Sequence, residues 1–93
     1  MHCNIFGFST IRIWPTTFLI QEDGVRKELL QAYNIAAFPD WKEIYGEHWF
    51  TLVFQGLDKD CKIFDLLEDI SEPGAFHVKN IRRNAADVYV VEV

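Results

Sequence analysis

Fourteen acidic residues, three histidines and two cysteines are the side chains in this 93-residue sequence with types suited to chemistry. The densest set is Asp58, Asp60, Asp65, Glu68, Asp69 and Glu72. A calcium loop needs an Asp-x-Asp-x-Asp-Gly run and a later Glu, so that enough oxygens converge on one hard cation. Here Asp58 and Asp60 are followed by Lys62 and Ile63, so the third ligand and the glycine are both missing. The run therefore reads as a solvated acidic face. His2, His48 and His77 share no metal-ligating spacing, and Cys3 with Cys61 fall short of the four closely spaced ligands that zinc demands. His48, beside Trp49, and His77 read as structural or solvent-facing. Cys61 lies between Asp60 and Asp65, whose charges raise a thiol's pKa and blunt it as a nucleophile. Ser9 and Ser71 sit in no Gly-x-Ser-x-Gly elbow. The five glycines are isolated, so no phosphate-binding loop is present. The expectation is a non-enzyme with no catalytic, cofactor-binding or metal-binding residue.

Aromatic residues are the other unusual resource: eight Phe, three Trp and three Tyr, 15% of the chain. A small core uses bulky rings to bury enough area. The rings that the pattern leaves for a partner are Trp14, Trp41, Tyr45 and Trp49. With a net charge of −5 the chain repels a phosphate backbone, so nucleic acid is excluded as an expected partner. The short basic cluster Lys79, Arg82 and Arg83 is expected to complement the acidic stretch from Asp58 to Glu72. Apolar residues at 49% and charged residues at 25% are ordinary for a folded chain, and the length suits one domain spanning 1–93. No apolar run reaches the roughly 18 residues of a membrane span, so no membrane insertion is expected. The start, Met1-His2-Cys3-Asn4, lacks the basic and apolar regions of a signal peptide. Two readings follow: a cytoplasmic chain, or a mature or trimmed piece of an exported one. Cys3 and Cys61 are read as unpaired thiols rather than a disulfide of an oxidising compartment.

The elements that must position these residues are mostly strands. Thr10 to Ile20 is rich in β-branched and aromatic residues, and Pro15, which lacks a ladder donor, should break it. Asp23-Gly24 is a hairpin signal. Val25 to Ala37 is ambiguous. As a helix it puts Val25, Leu29, Ala32, Tyr33 and Ala36 on one face; as a strand it puts Leu29, Tyr33 and Ile35 together. Local rules prefer the helix. Pro39, Asp40 and Gly46 punctuate the next stretch, where Asp40 to Tyr45 reads as a loop or a helical turn. His48 to Gln55 is the strongest strand, apolar on both faces, and so expected to be central and covered on both sides. Gly56 to Asp60 is a turn, Cys61 to Ile70 is strand or helix, and Ser71-Glu72-Pro73-Gly74 is a turn. Phe76 to Ile81 and Val88 to Val93 read as strands, with a turn over Asn84 to Asp87. About six short strands at this spacing predict an all-β sandwich.

One order of residues resembles a known domain. It runs Trp14-Pro15-Thr16-Thr17-Phe18-Leu19, Glu22-Asp23-Gly24, Ala32-Tyr33-Asn34-Ile35, Phe50-Thr51-Leu52-Val53-Phe54, Phe64-Asp65-Leu66-Leu67-Glu68, then Phe76 and Ile81. Over about residues 10 to 83 it resembles a small immunoglobulin-like β-sandwich domain of envelope and secreted proteins in Bacteroides-type gut bacteria. The turn Leu57-Asp58-Lys59-Asp60 stands where that family often has Leu-Pro-Lys. The resemblance implies an accessory module without active-site residues, secreted or in the cell envelope, and it turns Val25 to Ile35 back into the second strand of a hairpin. Family members usually carry a further strand or two before the position of His2. A sandwich lacking its first strand has an open edge, which predicts strand exchange or a homodimer through that edge.

The expected function is therefore a non-catalytic interaction or accessory module that binds a protein or glycan partner. The rival expectation is a small acidic intracellular α+β regulator or inhibitor that docks on a basic partner. The helical reading of 25–37 and the −5 charge favour it.

Overall fold

A computed structural model describes residues 1–71 and 75–93. Pro15 separates the first two strands, β1 (His2–Ile13) and β2 (Thr17–Gln21), as its missing donor requires. The chain continues as β3 (Arg26–Tyr33), β4 (Ala36–Ala37), β5 (Lys42–Phe54), β6 (Ile63–Glu68), β7 (His77–Arg82) and β8 (Val90–Glu92). The all-β class is the one expected, and the α+β alternative is corrected: 25–37 holds no helix. The turn expected over Ser71 to Gly74 falls largely outside the described residues.

The strands connect in the order β4-β1-β5-β3-β2-β6-β7, with β8 parallel to the start of β1, at the opposite end of that strand from β4. They form one mixed sheet rather than two separate facing ones. The core shows why the sheet must curl like a half-barrel. Cys3 and Ile13 of β1, Leu19 of β2, Phe50 and Leu52 of β5, and Phe64 and Leu66 of β6 all join one cluster, although β1 and β6 lie far apart in strand order. Tyr89, just ahead of β8, closes the curl by setting its ring edge-on to Phe64 at 4.9 Å.

The β2–β3 hairpin follows from its turn. Gly24 takes φ +87, where a side chain would be strained, and the Asp23 carboxylate accepts a hydrogen bond from the Val25 N–H at 3.0 Å. The helix-like spacing of the next residues has a β explanation. The β3–β5 register shifts between Leu29 and Gln31. That bulge leaves Leu30 exposed and brings Leu29 and Ala32, three residues apart, both against the core. Spacing by three is what a helix shows too, so the local reading failed there.

β2 and β6 alternate without a break. Thr17 and Glu68, Leu19 and Leu66, Gln21 and Phe64 face each other as buried rungs. Gln21 is buried, and its amide clamps the turn after β5: Nε2–H donates to Asp58 Oδ2 at 2.9 Å and Oε1 accepts from the Asp58 N–H at 2.7 Å.

Several expectations need correction. β5 runs 13 residues and absorbs the stretch read as loop or helical turn. Gly46 lies inside it with φ +85, so the residue that looked like punctuation is a kink within a strand. The strand over 48–55 is central, between β1 and β3, but covered on one side only: Phe50 and Leu52 are buried while Trp49 and Val53 are exposed. β1 begins at His2, eight residues ahead of the strand start read at Thr10.

Gly46 supports a paired prediction, because Gly7 lies directly across from it. Gly46→Val forces a β-branched residue to positive φ and should cost roughly 1–3 kcal/mol. Gly7→Val meets open space and no such backbone strain, so it should be close to neutral. Urea unfolding of the two variants checks this; equal losses would refute it.

Candidate interaction face

β1 and β5 pair in one unbroken antiparallel register from His2 opposite Thr51 to Ile11 opposite Lys42. Because strand side chains alternate between faces, Cys3, Phe50 and Ile44 turn to the core. The opposite face carries Phe6, Phe8, Glu43, Tyr45, Glu47 and Trp49. Its rings are bare: Phe6 is 75% exposed, Phe8 74%, Tyr45 77% and Trp49 45%. Phe6 and Phe8 meet edge-to-face at 5.9 Å. Phe6 stands across from Glu47, and Phe8 across from Tyr45. Monomeric proteins seldom leave so many neighbouring rings in water.

Trp41, 56% exposed, stands just before this run. Three of the four rings expected to meet a partner, Trp41, Tyr45 and Trp49, thus recur every fourth residue along one segment. The fourth, Trp14, is half-buried and stacks on Phe38 with centroids 4.1 Å apart. These two clusters meet at Arg12. Its guanidinium lies over the rings of Trp41 at 3.8 Å, Phe38 at 4.8 Å and Trp14 at 5.0 Å, and donates to the Pro39 carbonyl at 3.1 Å. Such cation–π packing holds the positive charge of the guanidinium against the rings.

Two acidic residues of this face escaped the sequence reading: Glu43 and Glu47. The Tyr45 hydroxyl donates to Glu43 Oε2 at 2.8 Å, and the Trp49 indole N–H donates to Glu47 Oε1 at 2.7 Å. The hydrogen bond to Glu43, and then its charge, push the Tyr45 phenol above its ordinary pKa. Phe6 and Phe8 were missed as well. Period-two alternation through Phe6-Gly7-Phe8 was the available signal, but it appears only once β1 is extended back to His2.

The acidic run is less solvated than expected. Asp58 pairs with Lys27 at 2.7 Å, Asp69 with Arg26 at 2.8 Å, and Glu68 is buried. Asp65 fills the bulge in β7 by accepting from the Asn80 N–H at 2.9 Å and lies 2.9 Å from His77 Nε2. Arg83 pairs with Asp87 at 3.0 Å and binds the Asp58 and Cys61 carbonyls, and its charge, with that of Lys79, contributes to holding the run's Asp58 and Asp65 below the usual carboxylate range. Cys3 and Cys61 are buried, free thiols. Burial pushes Cys3 up to about 12 and Cys61 upward too, which opposes thiolate chemistry. Among the described residues, no three His, Cys, Asp or Glu side chains converge to hold a metal ion, and no helix is long and apolar enough to cross a membrane.

These carboxylates predict the acid response. Hydrogen bonds from Lys27 and Gln21 hold Asp58 below the usual carboxylate range; the Asn80 N–H does so for Asp65, and Arg83 with Tyr89 for Asp87. A carboxyl depressed on folding adds stability above its unfolded pKa of about 4, and that share is lost as pH falls through the folded value. The contribution of these carboxylates should therefore be level above about pH 5 and decline from about pH 4 downward. Urea midpoints across that range check this, and an Asp58→Asn, Asp65→Asn variant should show a shallower decline.

No family model, curated protein or solved structure matches the chain.

Proposed function

We propose that this chain is a non-catalytic interaction module that binds a protein or glycan partner through the outer face of β1 and β5. The observation that carries the reading is the continuous set of bare rings on that face, Phe6, Phe8, Tyr45 and Trp49, with Trp41 at its end. An exposed aromatic surface is desolvated cheaply and stacks on flat apolar surfaces, whether of a side chain or a sugar ring. Placement as an accessory module of the cell envelope, with an immunoglobulin-like ancestry, rests on the resemblance over residues 10 to 83.

The test uses amide chemical shifts while neutral oligosaccharides and short peptides are added. Shifts should centre on Phe6, Phe8, Tyr45, Glu47 and Trp49, and Tyr45→Ala with Phe8→Ala should abolish them while the fold is kept. Responses centred on another surface would overturn the reading.

Two bare edges support the homodimer as part of the same proposal. Among the described residues, from Ile5 to Ile11 the only strand paired with β1 is β5, and from Lys42 to His48 the only strand paired with β5 is β1. The β1 stretch, IFGFSTI, carries neither the charge nor the proline that usually guards an edge. Light scattering at high concentration should give twice the 10.9 kDa chain mass, and Thr10→Lys should restore the monomer. A clean monomer for the unaltered chain would overturn the dimer.

A further inference from the structure

We infer that the outer face of β1 and β5 takes a cationic, extended peptide segment whose arginine or lysine side chains settle between its rings and its two carboxylates. The inference rests on the interaction-module reading and names the partner's chemistry.

Three observations carry it. The first is the alternation along one strand face: Trp41, Glu43, Tyr45, Glu47, Trp49. Each carboxylate lies between two rings and is oriented by a hydrogen bond from one of them. Four strand residues span roughly 13 Å, so the two acidic positions repeat at the distance of side chains four residues apart on a facing extended chain. The second is charge balance. Among the described residues, the ion pairs of this protein use Asp58, Asp65, Asp69 and Asp87; none uses Glu43 or Glu47. Both stand exposed beside apolar rings, an arrangement that attracts cations and repels anions. The third is internal. The same segment already holds a guanidinium, that of Arg12, at 3.8 Å over Trp41. The rings of this region therefore bind the group that the inference assigns to the partner.

A glycan would use the rings but has no need of two free carboxylates. A second copy would bring Glu43 and Glu47 against their own like charges, or leave them buried without a cation. A cationic segment satisfies both features together.

The experiment titrates the whole chain with two seven-residue peptides, Ser-Arg-Ser-Ser-Ser-Arg-Ser and its glutamate counterpart, at low salt. Tryptophan fluorescence and amide shifts are the readouts. The arginine peptide should bind with shifts on the face, and the glutamate peptide should not. Glu43→Gln with Glu47→Gln should weaken binding about tenfold or more, the scale of two modest ion pairs lost. Asp60→Asn with Glu22→Gln removes the same charge elsewhere and should weaken it less than about threefold, the difference between a local site and bulk attraction. Equal weakening by the two double variants would overturn the inference, as would binding of the glutamate peptide. If a neutral oligosaccharide shifts the face and the arginine peptide does not, the cationic partner falls and the module reading stands. The same holds if Tyr45→Ser only converts a dimer to a monomer. If nothing shifts the face and the unaltered chain is monomeric, both fall.

Discussion

Phe64→Ala should remove most of the stability of this chain. Phe64 is 1% exposed, in a strand whose inward positions are all buried. It sits in register with Gln21 on β2 and Ile81 on β7, and Tyr89 presses edge-on to its ring. Truncating such a ring costs about 3–5 kcal/mol, from lost transfer energy and from the cavity that a rigid sheet cannot close. A domain of this size has about 5–14 kcal/mol in total, so a large part of the margin goes. The effect reaches further than one contact, because the Phe64–Tyr89 pair ties the C-terminal segment to the far end of the sheet. Tyr89→Phe keeps that ring and loses only the hydroxyl that donates to Asp87 at 2.7 Å and accepts from the Asn84 N–H at 3.2 Å. It should cost about 1 kcal/mol. Urea unfolding of both variants makes the comparison; a loss below about 1 kcal/mol for Phe64→Ala would show that the curl is not closed at this point.

Leu52→Ala and Val53→Ala, one residue apart, should differ by several kcal/mol. Leu52 is fully buried, opposite Ala32, in the strand that separates β1 from β3. Its truncation should cost about 2–5 kcal/mol. Val53 points the other way and is 38% exposed, so its truncation should cost under about 1 kcal/mol. Had both faces of this strand been covered, the two losses would be alike. Midpoints from denaturant unfolding decide it. A large loss at Val53 would mean that something covers the outer face even in the isolated chain, and would count against a free interaction surface there.

The outer face links these stability arguments to function. Rings that contribute little to the fold are free to serve a partner. Tyr45 and Phe8 are the sites where stability and binding should separate: Tyr45→Ala and Phe8→Ala leave the unfolding midpoint nearly unchanged and lose the partner.

What the sequence determined by itself was local. Strand character follows from period-two alternation and β-branched or aromatic residues, and it is plain in Phe50-Thr51-Leu52-Val53-Phe54. Breaks follow from residues with one backbone option, such as Pro15 ahead of β2 and Asp23-Gly24 at the hairpin. Three of the five rings on the proposed face, Trp41, Tyr45 and Trp49, were among the aromatic residues that the sequence left for a partner. Tertiary structure decided the rest. The bulge at Leu30 gave β3 the three-residue spacing of a helix, and only pairing with β5 resolves that ambiguity, since the ladder satisfies the backbone whatever the local preference. The kink at Gly46 joined a supposed loop to a strand. Which side of β5 is covered depends on where the sheet curls, and the curl is set by contacts between residues as distant as Cys3, Phe64 and Val91. Apolar character on both faces of a strand says that each can be buried. Only the long-range packing chooses which one is, and which is left bare for another molecule.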